Sequence, residues 1–208
     1  MADTYPNFAE LARHERAGID YGIQVRRERP EFAIVAPHGG GIEPGTSEIA
    51  DAIAAKAFSF CSFEGLKSSG NSDLHITSTH FDEPMCLTLL ESTVVAITIH
   101  GEATGASGES IFVGGLDTAL GEEIADELAQ SGFDIQEYGD SDLQGKEKEN
   151  ICNRGTSGAG VQLELSRALR ETMFDSLSKS GREHPTERLG VFAGAIARVL
   201  ARRSERGG

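Results

Sequence analysis

Residues 32–51 read FAIVAPHGGGIEPGTSEIAD. The run from Phe32 to Ala36 is continuously apolar, which predicts a strand buried on both faces, as in the middle of a parallel sheet. It gives way to Pro37, His38 and three glycines, then to Ile42, Glu43, Pro44 and Gly45, with a helix predicted from near Thr46. In α/β enzymes, crevices form outside the carboxyl ends of parallel strands, so a His and a Glu in this loop are placed for chemistry. They read as two ligands of a metal site whose third ligand is a His elsewhere. The rival reading is a phosphate cradle, because Gly40 to Ser47 follow G-x-x-x-x-G-T-S. That pattern has Thr46 where a P-loop needs Lys, and Glu43 would put a negative charge inside the nest.

Outward from this stretch, elements alternate. Asn7 and Glu10 form a capping-box pattern for a short helix carrying Phe8, Leu11 and Ala12 and ending by Gly18. Ile19, Tyr21, Ile23 and Val25 alternate as in a half-buried strand, and Arg26–Pro30 reads as a charged turn. Downstream of the loop, Ile49, Ala50, Ile53, Ala54 and Ala57 form a helical stripe. Strands are predicted from Phe58 to Gly65, over Leu74–Ser78, over Thr93–Ile99 ending at His100-Gly101, over Ile111–Val113, over Phe133–Tyr138 and over Val161–Leu165. Phe81–Pro84 reads as a turn. Helices are predicted around Leu120, Ile124 and Leu128, from Ser166, and over Glu187–Arg203. The segment 139–160 is long, polar and glycine-containing, as functional or disordered loops are. The pattern predicts a three-layer α/β/α domain around a mixed, mostly parallel sheet, with residues 1–208 as one domain.

Composition narrows the function. The 208 residues carry a net charge of −14 and only five lysines. Sequence-independent nucleic-acid binding draws its affinity from Lys and Arg on phosphates, so no nucleic-acid partner is expected. No stretch reaches the about 18 apolar residues that span a membrane, and the N-terminus lacks a secretory pattern. Cys61, Cys86 and Cys152 are odd in number and widely spaced, which predicts buried reduced thiols. With no secretory pattern, a cytoplasmic location is expected, and a monomer.

Three strand ends hold the residues that could carry chemistry: His38 with Glu43, His100, and Glu164. A His-Glu-His set leaves a fourth position on zinc for water, the arrangement of a catalytic site. Glu164, in VQLEL, is a carboxylate in an apolar run, which is expensive without a partner or a task. It is the candidate general base. Arg154 and Arg167 could clamp a substrate carboxylate through their forked donors. His75 is a second-shell or core candidate.

The motifs PHGGGIEPGTSEIA, SFEG, LHITSTHFDEP, AITIHG, NICNRG and GVQLELSRALR occur in that order and resemble those of phage-type poly-γ-glutamate hydrolases, a family also labelled phage-related replication protein. The resemblance covers roughly residues 15–200. It implies a small relative of the zinc carboxypeptidases, with zinc held by His38, Glu43 and His100 and with Glu164 as the base. The implied reaction is hydrolysis of γ-glutamyl amide bonds, with Arg154 and Arg167 as partners for substrate carboxylates. Alternatives are a deacylase of small N-acyl acidic amino acids and a non-catalytic, metal-stabilised accessory protein. Nothing in the sequence supports a replication role.

Overall fold

The apolar run at 32–36 folds as the middle of a strand that continues further than its composition suggests. In the computed structural model, which describes residues 3–102, 108–137 and 144–207, this strand (β2) spans Arg29–Gly40. It takes in Arg29 and Pro30, expected in a turn, and carries His38 as a strand residue rather than a loop residue. The other strands are β1 (Tyr21–Arg26), β3 (Phe58–Gly65), β4 (Val95–Gly101), β5 (Ser110–Gly115), β6 (Asp134–Gln136) and β7 (Val161–Leu165). They form one sheet in the order β1-β3-β2-β4-β7-β5-β6. β3, β2, β4 and β7 run parallel, β1 and β5 pair antiparallel with β3 and β7, and β6 is parallel to β5. The sheet is therefore mixed and mostly parallel, as expected. The carboxyl ends of β2, β4 and β7 lie side by side.

Helices cover both faces. On one, Ile34, Ile97, Ile99, Leu163 and Leu165 pack against α2 (Thr46–Ala54), α4 (Thr118–Gln130), α5 (Arg167–Thr172) and α6 (Glu187–Gly207), through residues such as Ile49, Ile53, Ile124, Phe192 and Ile196. On the other, Val35, Cys61 and Phe63 meet Leu11 of α1 (Phe8–His14), Phe81, and Leu89 and Leu90 of α3 (Pro84–Leu90). Each such fully buried side chain contributes about 1.5–3 kcal/mol. The Asn7 cap forms as expected, its side chain accepting from the Glu10 N–H.

Several expectations are corrected. Residues 74–78 form no strand: a 3-10 turn ends at Leu74, the Ile76 carbonyl accepts from His38, and the Thr77 N–H donates to Asp3. Those groups are spent on side chains and cannot join a ladder. The FDEP segment is not the expected turn: Pro84 already opens α3, and Glu83 caps it by accepting from Met85 and Cys86. Ala57 lies beyond α2 and is exposed, and Ile19 precedes β1 with 56% of its surface exposed. Tyr138 and residues 139–143 of the predicted strand and loop lie outside the described residues. Cys61 and Cys86 are joined by a disulfide. They are not the reduced thiols expected, and the cytoplasmic expectation loses that support. Only Cys152 stays free, and burial pushes its thiol up to about 12. Among the described residues, no helix is long and apolar enough to cross a membrane.

Candidate metal centre

Backbone chemistry folds the loop after β2 onto itself. The Glu43 N–H donates to the His38 carbonyl at 2.9 Å, and the Gly41 N–H donates to the Gly65 carbonyl at 2.9 Å. Gly40 has φ +63°, and a Cβ there would stand 2.5 Å from the Gly65 carbonyl oxygen, so glycine is required at this turn. Thr46, at the start of α2, donates its hydroxyl to the Glu43 carbonyl at 2.9 Å. The result is a Glu43 carboxylate turned back towards the His38 ring five residues earlier.

Three side chains converge at this point. His38 Nδ1 lies 3.1 Å from Glu43 Oε1 and 3.2 Å from His100 Nδ1. His100 Nδ1 is 3.9 Å from Glu43 Oε2, which also accepts from the Gly101 N–H at 2.7 Å. His38 Nε2 is 2.8 Å from the Ile76 carbonyl, which can only accept. That nitrogen therefore carries a proton, and Nδ1 faces Glu43 Oε1 and His100 Nδ1. This is how a backbone carbonyl orients a metal-binding His. Both His rings and Glu43 are buried or nearly so, and His100 Nε2 is buried with no hydrogen-bond partner among the described residues. A tetrahedral ion with ligands about 2.0–2.1 Å away holds them about 3.3 Å apart. The separations of 3.1 Å to Glu43 Oε1 and 3.2 Å between the two Nδ1 atoms fit that spacing, while His100 Nδ1 stands further off, 3.9 Å from Glu43 Oε2. Two imidazole nitrogens and a carboxylate are the donor set that zinc takes.

Burial and the close approach of these groups shift their proton affinities. Burial would raise Glu43, but His38, with help from His100 and the Gly101 N–H, holds its carboxyl down to about 2. Burial and the neighbouring His38 charge push His100 down to about 3. Burial opposes charge on His38, yet Glu43 outweighs it and raises that ring.

Glu164 stands next to His100 in the β4–β7 register and accepts from Gln162 Nε2 at 2.9 Å. Burial first, then the charges of Glu43 and Glu102, raise its carboxyl well above the usual range. His75 sits at the mouth, one-third exposed. Its ring lies 4.0 Å from that of His38, its Nε2 is 4.0 Å from Glu43 Oε1, and its Nδ1 is 2.8 Å from Asp3 Oδ1. By spacing, His38, Glu43 and His75 bring one potential ligand atom each within 4.8 Å of one another. His100 Nδ1 comes to 3.2 Å from His38 Nδ1 and to 3.9 Å from Glu43 Oε2.

The two arginines chosen from sequence behave differently. Arg154 is exposed and precedes Gly155, which packs on the Thr93 and Val94 carbonyls at the entry to β4. His100 lies six residues further along, about 20 Å of strand. Arg154 is thus at the opposite end of the sheet and is removed from the site. Arg167 is exposed, pairs with Glu171 at 2.8 Å, and lines a groove with Pro44, Asp175, Ser176 and Leu177 beside the Glu43 loop. Three participants were missed. Asp3 gave no signal. Gln162 shares the face of Glu164 by strand alternation and could have been read from it. Arg170 is buried beneath Gly101, donating to the Leu165 carbonyl at 3.2 Å and the Pro44 carbonyl at 2.6 Å. A second close group, Cys61, Glu83 and Cys86, is consumed by the disulfide and by the α3 cap.

A family model described as poly-gamma-glutamate hydrolase matches residues 5–195. The SPbeta prophage-derived protein YoqZ of Bacillus subtilis (strain 168) is 42% identical over 182 residues, 87% of this chain, and the chain spans 65% of the length of YoqZ. YndL of the same organism is 38% identical over 200 residues, covering 95% of this chain and 78% of YndL. Among solved structures, a bacteriophage poly-gamma-glutamate hydrolase matches with a TM-score of 0.93 at 37% identity, covering 98% of this chain and 99% of that one. Zinc-free YndL matches with a TM-score of 0.90 at 38% identity, covering 97% and 99%.

Proposed function

The chain belongs to the poly-γ-glutamate hydrolase family, and from that premise we propose that it is a zinc-dependent hydrolase of γ-glutamyl amide bonds, in poly-γ-glutamate or a similar acidic amide. The observation that carries the reading is the meeting of His38 Nδ1, His100 Nδ1 and the Glu43 carboxylate, with Glu164 beside them. His38, Glu43 and His100 would hold the zinc. The existence of a zinc-free form of YndL as a distinct structure is in keeping with such a site.

A zinc ion held there would supply Lewis-acid activation of water and of the scissile carbonyl. Glu164 takes the proton of the attacking water on its carboxylate and returns it to the leaving amine nitrogen. His75, seated on Asp3, lines the mouth and braces the His38 ring by stacking. Arg170 holds the ends of β7 and of the Glu43 loop together through the Leu165 and Pro44 carbonyls. Arg167 offers a cation in the groove beside Pro44, with only its Nε engaged among the described residues.

The test is zinc-loaded protein incubated with poly-γ-glutamate, with the products sized, beside Glu164→Gln. The variant is expected to keep stoichiometric zinc and to lose turnover roughly 100- to 10,000-fold, the usual worth of a general base. Full turnover in the variant would remove Glu164 from this role. Native protein that takes up no zinc would remove the enzyme reading altogether.

A further inference from the structure

The loop that enters β7 ends in a chain of buried amides that the hydrolytic reading does not use. Asn150 and Gln162 are each 4% exposed, and Glu164 is 6% exposed. Asn150 caps the 3-10 turn Ile151–Asn153, its Oδ1 accepting from the Cys152 N–H at 3.0 Å. Its Nδ2 then donates to Gln162 Oε1 at 3.0 Å, and Gln162 Nε2 donates to Glu164 Oε1 at 2.9 Å. A backbone N–H can only donate, so Asn150 Oδ1 is the acceptor at Cys152 and Asn150 Nδ2 the donor to Gln162 Oε1. Reversing either amide would bring two acceptors face to face.

We propose that Asn150 and Gln162 are positioning residues, a directional amide relay that presents a donor to Glu164 and aims its carboxylate into the metal centre. The proposal rests on Glu164 being the base. It accounts for two features left over from the sequence: a polar residue at 162 on a strand buried over its whole length, and the asparagine that opens the NICNRG segment. Gln162 needs no charge to act, since its donor stabilises the ionised carboxylate while adding nothing to the crowd of acids around it.

The direction of the relay separates it from a plain structural cap. Asp caps a turn as well as Asn does, whereas Ala does not. In Asn150→Asp one carboxylate oxygen still accepts from Cys152, but the other faces Gln162 as an acceptor. The Gln162 amide must turn over, and Glu164 then meets an oxygen in place of a donor. Asn150→Ala leaves Gln162 free to keep its donor on Glu164. The relay therefore predicts that Asp is worse than Ala, and a cap predicts the opposite. With Asn150→Asp, kcat should fall roughly 10- to 100-fold, the worth of one hydrogen bond to a charged group. KM, zinc affinity by chelator competition and the melting curve should stay near native. Gln162→Leu should match Asn150→Asp in kcat and covers the case in which the aspartate does not fold. A native-like kcat in Asn150→Asp or in Gln162→Leu, or a larger loss in Asn150→Ala than in Asn150→Asp, overturns the relay. Glu164→Gln with full turnover would instead overturn the base assignment. Independently of any substrate, the Gln162 side-chain amide resonances in 15N NMR should move strongly in Asn150→Asp; unmoved resonances overturn the relay on their own.

Discussion

Gly101 serves the centre twice. Its N–H donates to Glu43 Oε2 at 2.7 Å, and its lack of a Cβ leaves room for Arg170. A Cβ there would stand 2.7 Å from the Arg170 guanidinium carbon. That side chain cannot simply swing away, because it is buried and bonded to two carbonyls. Gly101→Ala is expected to cost about 1–3 kcal/mol of stability by overpacking and to weaken zinc retention by displacing Glu43; melting curves and a chelator titration read both. The ring nitrogens and the carboxylate also set a pH dependence in zinc-free protein. His100 is held neutral down to about 3, from an ordinary 6.5, so the unfolded chain binds its proton first and stability falls as pH drops through that window. Glu43, depressed from 4.5 to about 2, loses its contribution over the lower part of the same range. His38, whose affinity is raised, acts oppositely: its contribution is complete below 6.5 and is lost as pH rises through its folded value. The urea midpoint of zinc-free protein should therefore fall from pH 6.5 towards 3, and a flat profile would contradict this arrangement. The candidate ligands His38 and His100 and the proposed base Glu164 stand out in sequence because each ends or interrupts an apolar run, and Glu43 because it shares the glycine-rich loop with His38. Asp3 and Arg170 do not, because their partners lie 72 and 126 residues away and no local pattern marks such a contact.

The strands were legible where one physical cause dominated. Continuous apolar or β-branched runs marked β2 and β4, and the recurring Phe of FSFCSFEG and the alternating Val/Leu of VQLEL marked β3 and β7. The segment 74–78 failed as a strand because tertiary demands outweighed its propensity: His38 and Asp3 take the backbone groups a ladder would need. α3 was hidden by its length of seven residues, although Pro84 at its first position and the Glu83 cap are start signals. This crossover, carrying Ile76 and His75 to the centre, is tied to β3 by the Cys61–Cys86 disulfide across a separation of 25 residues. Loop-closure entropy makes such a bridge worth about 3.5 kcal/mol. Its loss in a domain of this size should lower the melting temperature on the order of 10 °C. Reduction under native conditions, or Cys61→Ala with Cys86→Ala, checks this by calorimetry. An unchanged melting temperature would show that packing of Phe81, Leu89 and Leu90 alone holds the crossover.

Charge is a property of the whole molecule, and its distribution bears on the substrate. The net −14 includes a C-terminal segment, Arg182 to Gly208, that is itself +3. That segment offers no basic track, because Arg198 and Arg202 pair with Glu127 and Arg203 pairs with Glu123 on α4. The acids between the apolar positions of α4 thus do more than meet solvent: two of them neutralise α6. A long polyanion approaching this surface is repelled at distance, and near the Glu43 loop it meets Arg167 in a groove that Glu171 and Asp175 also line. Screening shortens the reach of that repulsion from about 30 Å at 0.01 M salt to about 10 Å at 0.1 M. Repulsion over this range acts on encounter, so it belongs to kcat/KM and not to kcat. For long poly-γ-glutamate, kcat/KM should rise as salt increases from 0.01 M to 0.1 M while kcat holds steady. A γ-glutamyl dipeptide or trimer, with few charges outside the groove, should change far less. The opposite trend, kcat/KM on the long chain falling from the lowest salt upward, would mean that attraction at the groove outweighs the field of the whole protein.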